Sequence, residues 1–445
     1  MSFPKYEAYK DSGVEWLGEV PVHWTLSPLK RLSELITTKA TDTSWQVGLE
    51  NIESWSGQFL DTESEFAGDG IAFSPNDILF GKLRPYLAKV YLAEKSGEAV
   101  GDFFVLRPHE ISANYLHRFI LSPSVINTLN ASTIGAKMPR VSWEYMGGIP
   151  VVFPGEEEQT QITQFLDHET TRIDALIAEQ ERLIALLKEK RQAVISHAVT
   201  KGCDPSVPMK DSGVEWLGEV PEHWKVSPLK HLVKSIQMGP FGSSLTDLSN
   251  MQTGFKLYGQ ENYISGDFEK GDRWVSETMF AELHKYELLP DDLVFTRKGS
   301  IGNCRLVPSH IARGIIDSDS IRVRVDSAVV EHRFLQLLAH EAWYILEQLQ
   351  SERRGAVLSG LNTSNIANLR IVVPPLTEQK FLFEFVQAEL ARMTYTLNYA
   401  TDTVSLLQER RSALISAAVT GKIDVRNWQP PISTFSTPAL EAVHH

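Results

Sequence analysis

The stretch KDSGVEWLGEVPVHWTLSPLKRL at residues 10–32 is written again as KDSGVEWLGEVPEHWKVSPLKHL at residues 210–232. Four of the 23 positions differ: Val22/Glu222, Thr25/Lys225, Leu26/Val226 and Arg31/His231. Self-similarity at a fixed offset decides architecture ahead of any residue-level reading, and here it makes the chain two versions of one unit. Further out the offset changes from 200 to 220. Gly135, Pro154, Glu158, Gln159, Arg172, Arg191, Ala198, Val199 and Thr200 match Gly355, Pro374, Glu378, Gln379, Arg392, Arg411, Ala418, Val419 and Thr420. The twenty additional residues therefore fall between Leu232 and Gly355. Between these anchors the copies share almost nothing in sequence. Each half has a repeated leading segment, a divergent middle and a repeated trailing segment, which is the pattern of one scaffold presenting two different surfaces.

At 445 residues the chain exceeds one ordinary domain, and each half is long enough to bury its own core. Hydrophobic content of 42% with 22% charged residues is globular composition. No run of 18 apolar residues suggests a membrane span, and the N-terminal residues lack the apolar core of a signal peptide. Cys203 and Cys304, the two cysteines, stand in no metal-ligand or disulfide spacing. The expectation is a soluble protein of the cytoplasm. The net charge of −13 runs against nucleic-acid binding, which shows as a basic excess. Residues 33–150 carry nine Lys/Arg against fourteen Asp/Glu, and residues 233–370 carry fifteen against seventeen. Any affinity for DNA has to come from charge segregated to one face.

The trailing segments read as long helices. Residues 156–200 contain neither proline nor glycine. Ile162, Phe165, Leu166, Ile173, Leu176, Ile177, Leu183, Ile184, Leu187, Val194 and Ile195 recur at a spacing of three to four. Glu156, Glu157 and Glu158 suit the positive end of the helix dipole, and Gly202 supplies the stop. Residues 377–420 repeat the form, with Gly421 as the stop and a stripe of Phe381, Phe385, Leu390, Met393, Leu397, Val404, Leu407, Leu414 and Ala418. Two stripes this long are most simply covered by each other, as an antiparallel coiled coil if the halves are related by a pseudo-twofold axis. The middles read as mixed and strand-rich, with short runs such as 77–80, 103–106, 293–296 and 321–325 bounded by turn residues. The expected fold is α+β: domains at 1–153 and 203–373, long helices at 154–202 and 374–423, and a tail at 424–445.

No G-x-x-x-x-G-K-[ST] loop is present. Pro374 and Pro375 lack the preceding Asn or Asp and the following aromatic that an amino-methyltransferase places around a flipped base. No nucleophile–base constellation stands out, and His23 and His223, beside Trp24 and Trp224, read as packing or capping groups. The chain reads as non-enzymatic.

The paired W-L-G-E-V-P-x-H-W segments, the P-x-x-x-E-Q stretches at 154–159 and 374–379, and the helices ending in S-x-A-V-T at 196–200 and 416–420 give the chain its resemblance to a known family. Over nearly its whole length it resembles the specificity subunits of type I restriction–modification enzymes. The runs at 76–86, 237–243 and 292–302 look like family signatures as well. The resemblance implies two target-recognition domains, each reading one half of a split, asymmetric site in double-stranded DNA. The helices would then act as a ruler, with two methyltransferase subunits and motor/nuclease subunits carrying the chemistry. S-adenosylmethionine, ATP and Mg are expected on those partners, none on this chain, and no metal is expected here. The acidic balance leaves open a protein scaffold or DNA mimic that binds no DNA, and a single-chain enzyme with degenerate motifs.

Base edges are read by Arg, Lys, Asn, Gln, Ser or Thr on loops, and phosphates are clamped by Lys, Arg and amides. The candidates in the first middle are Lys82, Arg84, Tyr86 and Lys89, then Lys137, Arg140, Ser142 and Trp143. In the second they are Arg297, Lys298, Ser300 and Asn303, then Arg353, Arg354, Ser359, Asn362 and Ser364. Trp16, Trp24, Trp216 and Trp224 lie in the repeat and cannot distinguish two half-sites. They are core residues or a docking surface for one methyltransferase subunit per half. Lys188, Lys190, Arg191, Arg410 and Arg411 form a solvated helix face or reach phosphates between the half-sites.

Overall fold

The computed structural model describes residues 3–41, 45–62, 70–133, 135, 138–241, 245, 254–297, 303–354 and 361–430, without the side chains of 350–354. Two long helices organise it, Glu156–Lys201 and Leu376–Val419. Gly202 and Gly421 follow them at φ of 79° and 72°, the left-handed conformation in which glycine ends a helix. The chain divides into two units, Met1–Arg182 with Thr401–His445, and Leu183–Ala400. Each unit thus owns the start of one long helix and the end of the other.

The repeated stretch builds the same frame in both. In the first unit Tyr9–Asp11 pairs antiparallel with Glu19–Pro21, and Thr25–Pro28 with Pro150–Phe153. In the second, Met209–Asp211 pairs with Glu219–Pro221, and Lys225–Pro228 with Arg370–Val373. The contacts of the E-Q dipeptide explain its recurrence. Glu158 accepts from the Trp24 indole at 3.0 Å and the Tyr6 hydroxyl at 2.7 Å, and lies 2.8 Å from His23. Glu378 meets His223 at 2.7 Å. Gln159 accepts from the Ser112 amide and donates to the Pro154 carbonyl, both at 2.9 Å. Gln379 accepts from the Glu331 amide and donates to the Pro374 carbonyl, both at 2.7 Å. The dipeptide therefore ties each helix start to the frame and satisfies backbone groups that burial would otherwise strand. His23 and His223 serve structure in this arrangement.

Within the first unit the helices run antiparallel. Gln161 donates to the Trp428 carbonyl at 2.6 Å, and farther along Asp174 meets Arg411 at 2.9 Å. Ile162, Phe165, Leu166 and Ile173 share a core with Leu414, Ile415, Ala418 and Val419. In the second unit Ile195, Ala198 and Val199 share a core with Leu382 and Val386. The apolar stripe expected on the second helix is out of phase at its start. Phe381 and Phe385 are 58% and 37% exposed and stack on each other, while Leu382 and Val386 are fully buried. Apolar residues occupy two faces there, and spacing alone cannot say which face meets the frame.

The middles, near-unrelated in sequence, share a fold. In the first, a four-stranded antiparallel sheet has the order Ser33–Ile36, Phe103–Pro108, Ile78–Gly81, Val90–Leu92. In the second the order is Val233–Met238, Ser320–Val325, Leu293–Thr296, Cys304–Leu306. A smaller sheet holds Gln46–Val47 parallel to Gly97–Ala99, and Phe255–Tyr258 parallel to Gly314–Ile316. Its third strand differs. Ile71–Phe73 joins Gly97–Ala99 in the first unit, whereas Trp274–Val275 joins Phe255–Tyr258 in the second. The sheet core is thus common, and divergence begins at its edge.

Among the described residues no helix is long and apolar enough to cross a membrane, and no group of three or more His, Cys, Asp or Glu is placed to hold a metal.

Candidate nucleic-acid interface

Two equivalent turns prepare the site. Asn76 and Asp291 adopt φ of 70° and 64°. The following Asp77 and Asp292 accept from the Ser74 and Leu289 amides, and each binds an arginine through both carboxylate oxygens. Arg107 donates to Asp77 at 2.9 and 2.7 Å, and Arg324 to Asp292 at 2.9 and 2.8 Å. Such bidentate pairs fix geometry as well as adding energy. They pin the turn leading into Ile78–Gly81 and Leu293–Thr296, the strands that end in the candidate loops.

At the end of that strand the backbone forms a three-segment junction. In the first unit the Lys82 amide donates to the Asp102 carbonyl at 2.8 Å, and the Lys82 carbonyl accepts from the Val141 amide at 3.1 Å. In the second the Arg297 amide donates to the Asp319 carbonyl, and the Arg297 carbonyl accepts from the Leu361 amide, both at 2.9 Å. The two candidate clusters of each middle, remote in sequence, thus meet at one junction. Lys82 stands where the second unit has Arg297, and Ser142 where it has Asn362. Ser142 and Asn362 each cap the short helix that follows, Trp143–Gly148 and Thr363–Asn368, by accepting from Tyr145 and Asn365 amides.

The first junction is the better defined. Arg140 donates to Asp102 at 2.6 Å, and the Lys82 ammonium lies 3.7 Å from the same carboxylate and 5.6 Å over the Phe104 ring. Trp143 packs edge-on against Phe104 at 5.8 Å. The turn above it is strained. Arg84 and Ala88 hold φ of 51° and 49°, a region costing of order 1 kcal/mol for a residue with a side chain. Arg84 is exposed, and Tyr86 beside it is 45% exposed. Among the described residues no hydrogen bond or ion pair engages the Arg84 guanidinium, and its orientation is set by a backbone tied at 2.8 Å to the Pro139 carbonyl. An exposed arginine and tyrosine on a rigid turn are suited to reading base edges or clamping phosphate.

The remaining candidates differ in what they leave free. Lys89 points inward and donates to the Leu49 carbonyl at 2.6 Å. Arg191 is held by Glu341 at 2.9 Å, and Arg411, 7% exposed, by Asp174 and the Trp55 carbonyl at 3.0 Å. Arg411 is spent on internal packing, and Arg191, 37% exposed, ties its helix to the middle through one nitrogen. Trp24 and Trp224 are 1% and 0% exposed, so no partner can touch them; a large aromatic behind the helix start is core. Trp16 packs beside Phe119, and Trp216, 37% exposed, stacks on Tyr344 at 5.7 Å. The Arg297 Nε donates to the Leu361 carbonyl at 3.2 Å, and the Asn303 side-chain oxygen is buried without a hydrogen-bond partner among the described residues. Ser364 is exposed on its short helix. Lys137, Lys298, Ser300 and Ser359 lie outside the described residues, as do the side chains of Arg353 and Arg354.

Sequence reasoning missed Asp102, which organises the first junction. It also missed the turn residues shared by the middles: Gly48 and Asn51 recur as Gly259 and Asn262, each asparagine accepting from the glycine amide.

Comparison with known proteins agrees with this architecture. Residues 221–396 match the family described as type I restriction modification DNA specificity domain. The chain is 26% identical over 309 residues to the type I restriction enzyme StySPI specificity subunit of Salmonella potsdam, covering 67% of this chain and 61% of that one. It is 21% identical to the putative type I restriction enzyme MjaX specificity subunit of Methanocaldococcus jannaschii, covering 96% of this chain and 99% of that one. In fold it is similar to a chain solved in work on assembly and conformational transition of the type I R-M system, with a TM-score of 0.69, 16% identity and coverage of 90% and 98%. The HsdS subunit from Thermoanaerobacter tengcongensis gives a TM-score of 0.54 at 16% identity, with the same coverage.

Proposed function

We propose that this chain, which belongs to the specificity subunits of type I restriction–modification enzymes, reads a bipartite asymmetric DNA site with one half-site per middle domain. The observation that carries the reading is the junction at Lys82 and Arg297: the same backbone hydrogen bonds, on the same sheet, present different side chains in the two units. Identical frames with different tips are what two different half-sites demand. The antiparallel helices set the spacing, much as dimer geometry sets half-site separation in other DNA readers.

In this reading Lys82, Arg84, Tyr86, Arg140 and Trp143 face the first half-site, and Arg297, Asn362 and Ser364 the second. Arg84→Ala in the complete enzyme relaxes recognition at one base of the first half-site. A bidentate arginine contact is worth about 1–3 kcal/mol of discrimination, so mapping of methylated positions shows one formerly fixed base becoming variable. A uniform drop in methylation at unchanged sequence would instead make Arg84 a phosphate contact.

The same reading gives the chain methyltransferase and motor/nuclease partners. Phe381, Phe385, Tyr395 and Tyr399, 58%, 37%, 76% and 68% exposed on the second helix, supply apolar surface for a partner. S-adenosylmethionine, ATP and Mg then belong to those partners. Calorimetry of the isolated chain with S-adenosylmethionine gives no heat beyond dilution; stoichiometric binding would refute this division of labour.

A further inference from the structure

Resting on the DNA-reading function above, we infer that Asp102 is a positioning residue that trades general DNA affinity for sequence discrimination in the first half-site. Its two carboxylate oxygens serve two different cations. One accepts from Arg140 at 2.6 Å, and the other lies 3.7 Å from the Lys82 ammonium. The three residues come from three separate chain segments, joined by the backbone bond from Lys82 to Asp102 and the bridge between Leu83 and Arg140. The carboxylate is 23% exposed, whereas Arg140 is 55% exposed. The anion is thus more enclosed than Arg140 and about as enclosed as Lys82, which is 28% exposed over the Phe104 ring.

A carboxylate there does two things. It occupies one edge of the Arg140 guanidinium, which leaves the remaining donors of a rigid planar fork aimed in a fixed direction. It also cancels one of the two positive charges, so that together they attract phosphate as one cation. Phosphate attraction is independent of sequence and dominates non-specific binding. Partial neutralisation lowers that background while the oriented donors remain free for base edges. The acidic balance of this middle, nine basic residues against fourteen acidic over 33–150, accords with a domain that restrains its non-specific affinity.

The test uses the chain assembled with its methyltransferase partners and two duplexes, one with the mapped site and one with the first half-site scrambled, over a range of salt. In Asp102→Asn, affinity for the scrambled duplex rises and its salt slope steepens by about 0.9, the value of one added phosphate contact, or about five- to tenfold at ~0.1 M salt. Discrimination between the duplexes falls by a similar factor. Arg140→Gln gives an independent reading that does not depend on Asp102→Asn folding well: it leaves Lys82 neutralised by Asp102, so the scrambled-duplex slope flattens by about one contact, and the mapped site loses at least about fivefold beyond that shared loss. The inference is overturned if Asp102→Asn weakens both duplexes alike at unchanged slope, which marks a structural residue. It is equally overturned if only the mapped site weakens, which marks a direct reader, or if Arg140→Gln weakens both duplexes by the same factor. A wild-type complex that fails to separate the two duplexes overturns the DNA-reading function itself, and this inference with it.

Discussion

Replacing residues 33–149 with the corresponding stretch of a related specificity subunit changes the first half-site completely and leaves the second half-site and the gap intact. The structure sets these boundaries. The chain leaves the frame after Thr25–Pro28 and returns through Pro150–Phe153, and these strands pair antiparallel, so both ends of the insert emerge side by side. The Leu29 amide closes the stem on the Ile149 carbonyl at 2.9 Å. An insert with adjacent ends can be exchanged without stretching its scaffold. The insert also packs on the frame: Tyr115 is fully buried, its hydroxyl 3.0 Å from the carbonyls of Val152 and Val419. In the second unit Phe334 occupies the corresponding place, after the cap Glu331 as Tyr115 follows Ser112. The donor stretch therefore needs a large ring there. A small residue leaves a cavity costing about 3–5 kcal/mol, and the swap then fails by unfolding. With the ring kept, methylation mapping shows one half-site replaced. A change in both half-sites, or in neither, would contradict modular reading.

The frame was legible because its constraints act on runs of residues. A glycine-free stretch of over forty positions ending in glycine can hardly be anything but a long helix, and the helices are found at Glu156–Lys201 and Leu376–Val419. The kinship of the middles was hidden because a pleated sheet accepts any suitable apolar residue. Only backbone-critical positions recur, such as Asn76 with Asp77 and Asp291 with Asp292, in a left-handed turn ahead of a buried strand. These pairs stand 215 apart, Gly48 and Gly259 stand 211 apart, and Asp102 and Asp319 stand 217 apart. The twenty extra residues of the second half are thus added in steps, most of them before Gly259, and no single offset aligns the middles.

The site was legible by residue type and opaque by direction. Lys82, Arg84 and Arg140 are the same kinds of residue as Lys89, Arg191 and Arg411, yet the first three gather at one junction, two of them around Asp102, while Lys89 is tied to the Leu49 carbonyl, Arg191 to Glu341 and Arg411 to Asp174 and the Trp55 carbonyl. Charge alone does not tell a surface cation from one spent on internal packing. Trp24 and Trp224 show the same ambiguity in apolar form. Near-identity in both copies fits a docking surface and a shared core equally, and burial assigns them to the core.

The claim on which the account turns is that the helix pair measures the distance between two independent readers. Its most direct test is a seven-residue helical insertion in both long helices, between Arg182 and Leu183 and between Ala400 and Thr401, where the chain passes from one unit to the other. Seven residues lengthen a helix by about 10 Å and rotate it only ~20° from its former face, so the apolar seam stays in register. At ~3.4 Å per base pair, the methylated sites of the complete enzyme should keep both half-site sequences and gain about three base pairs of unspecified gap between them. Unaltered half-sites at an unaltered gap would contradict the account.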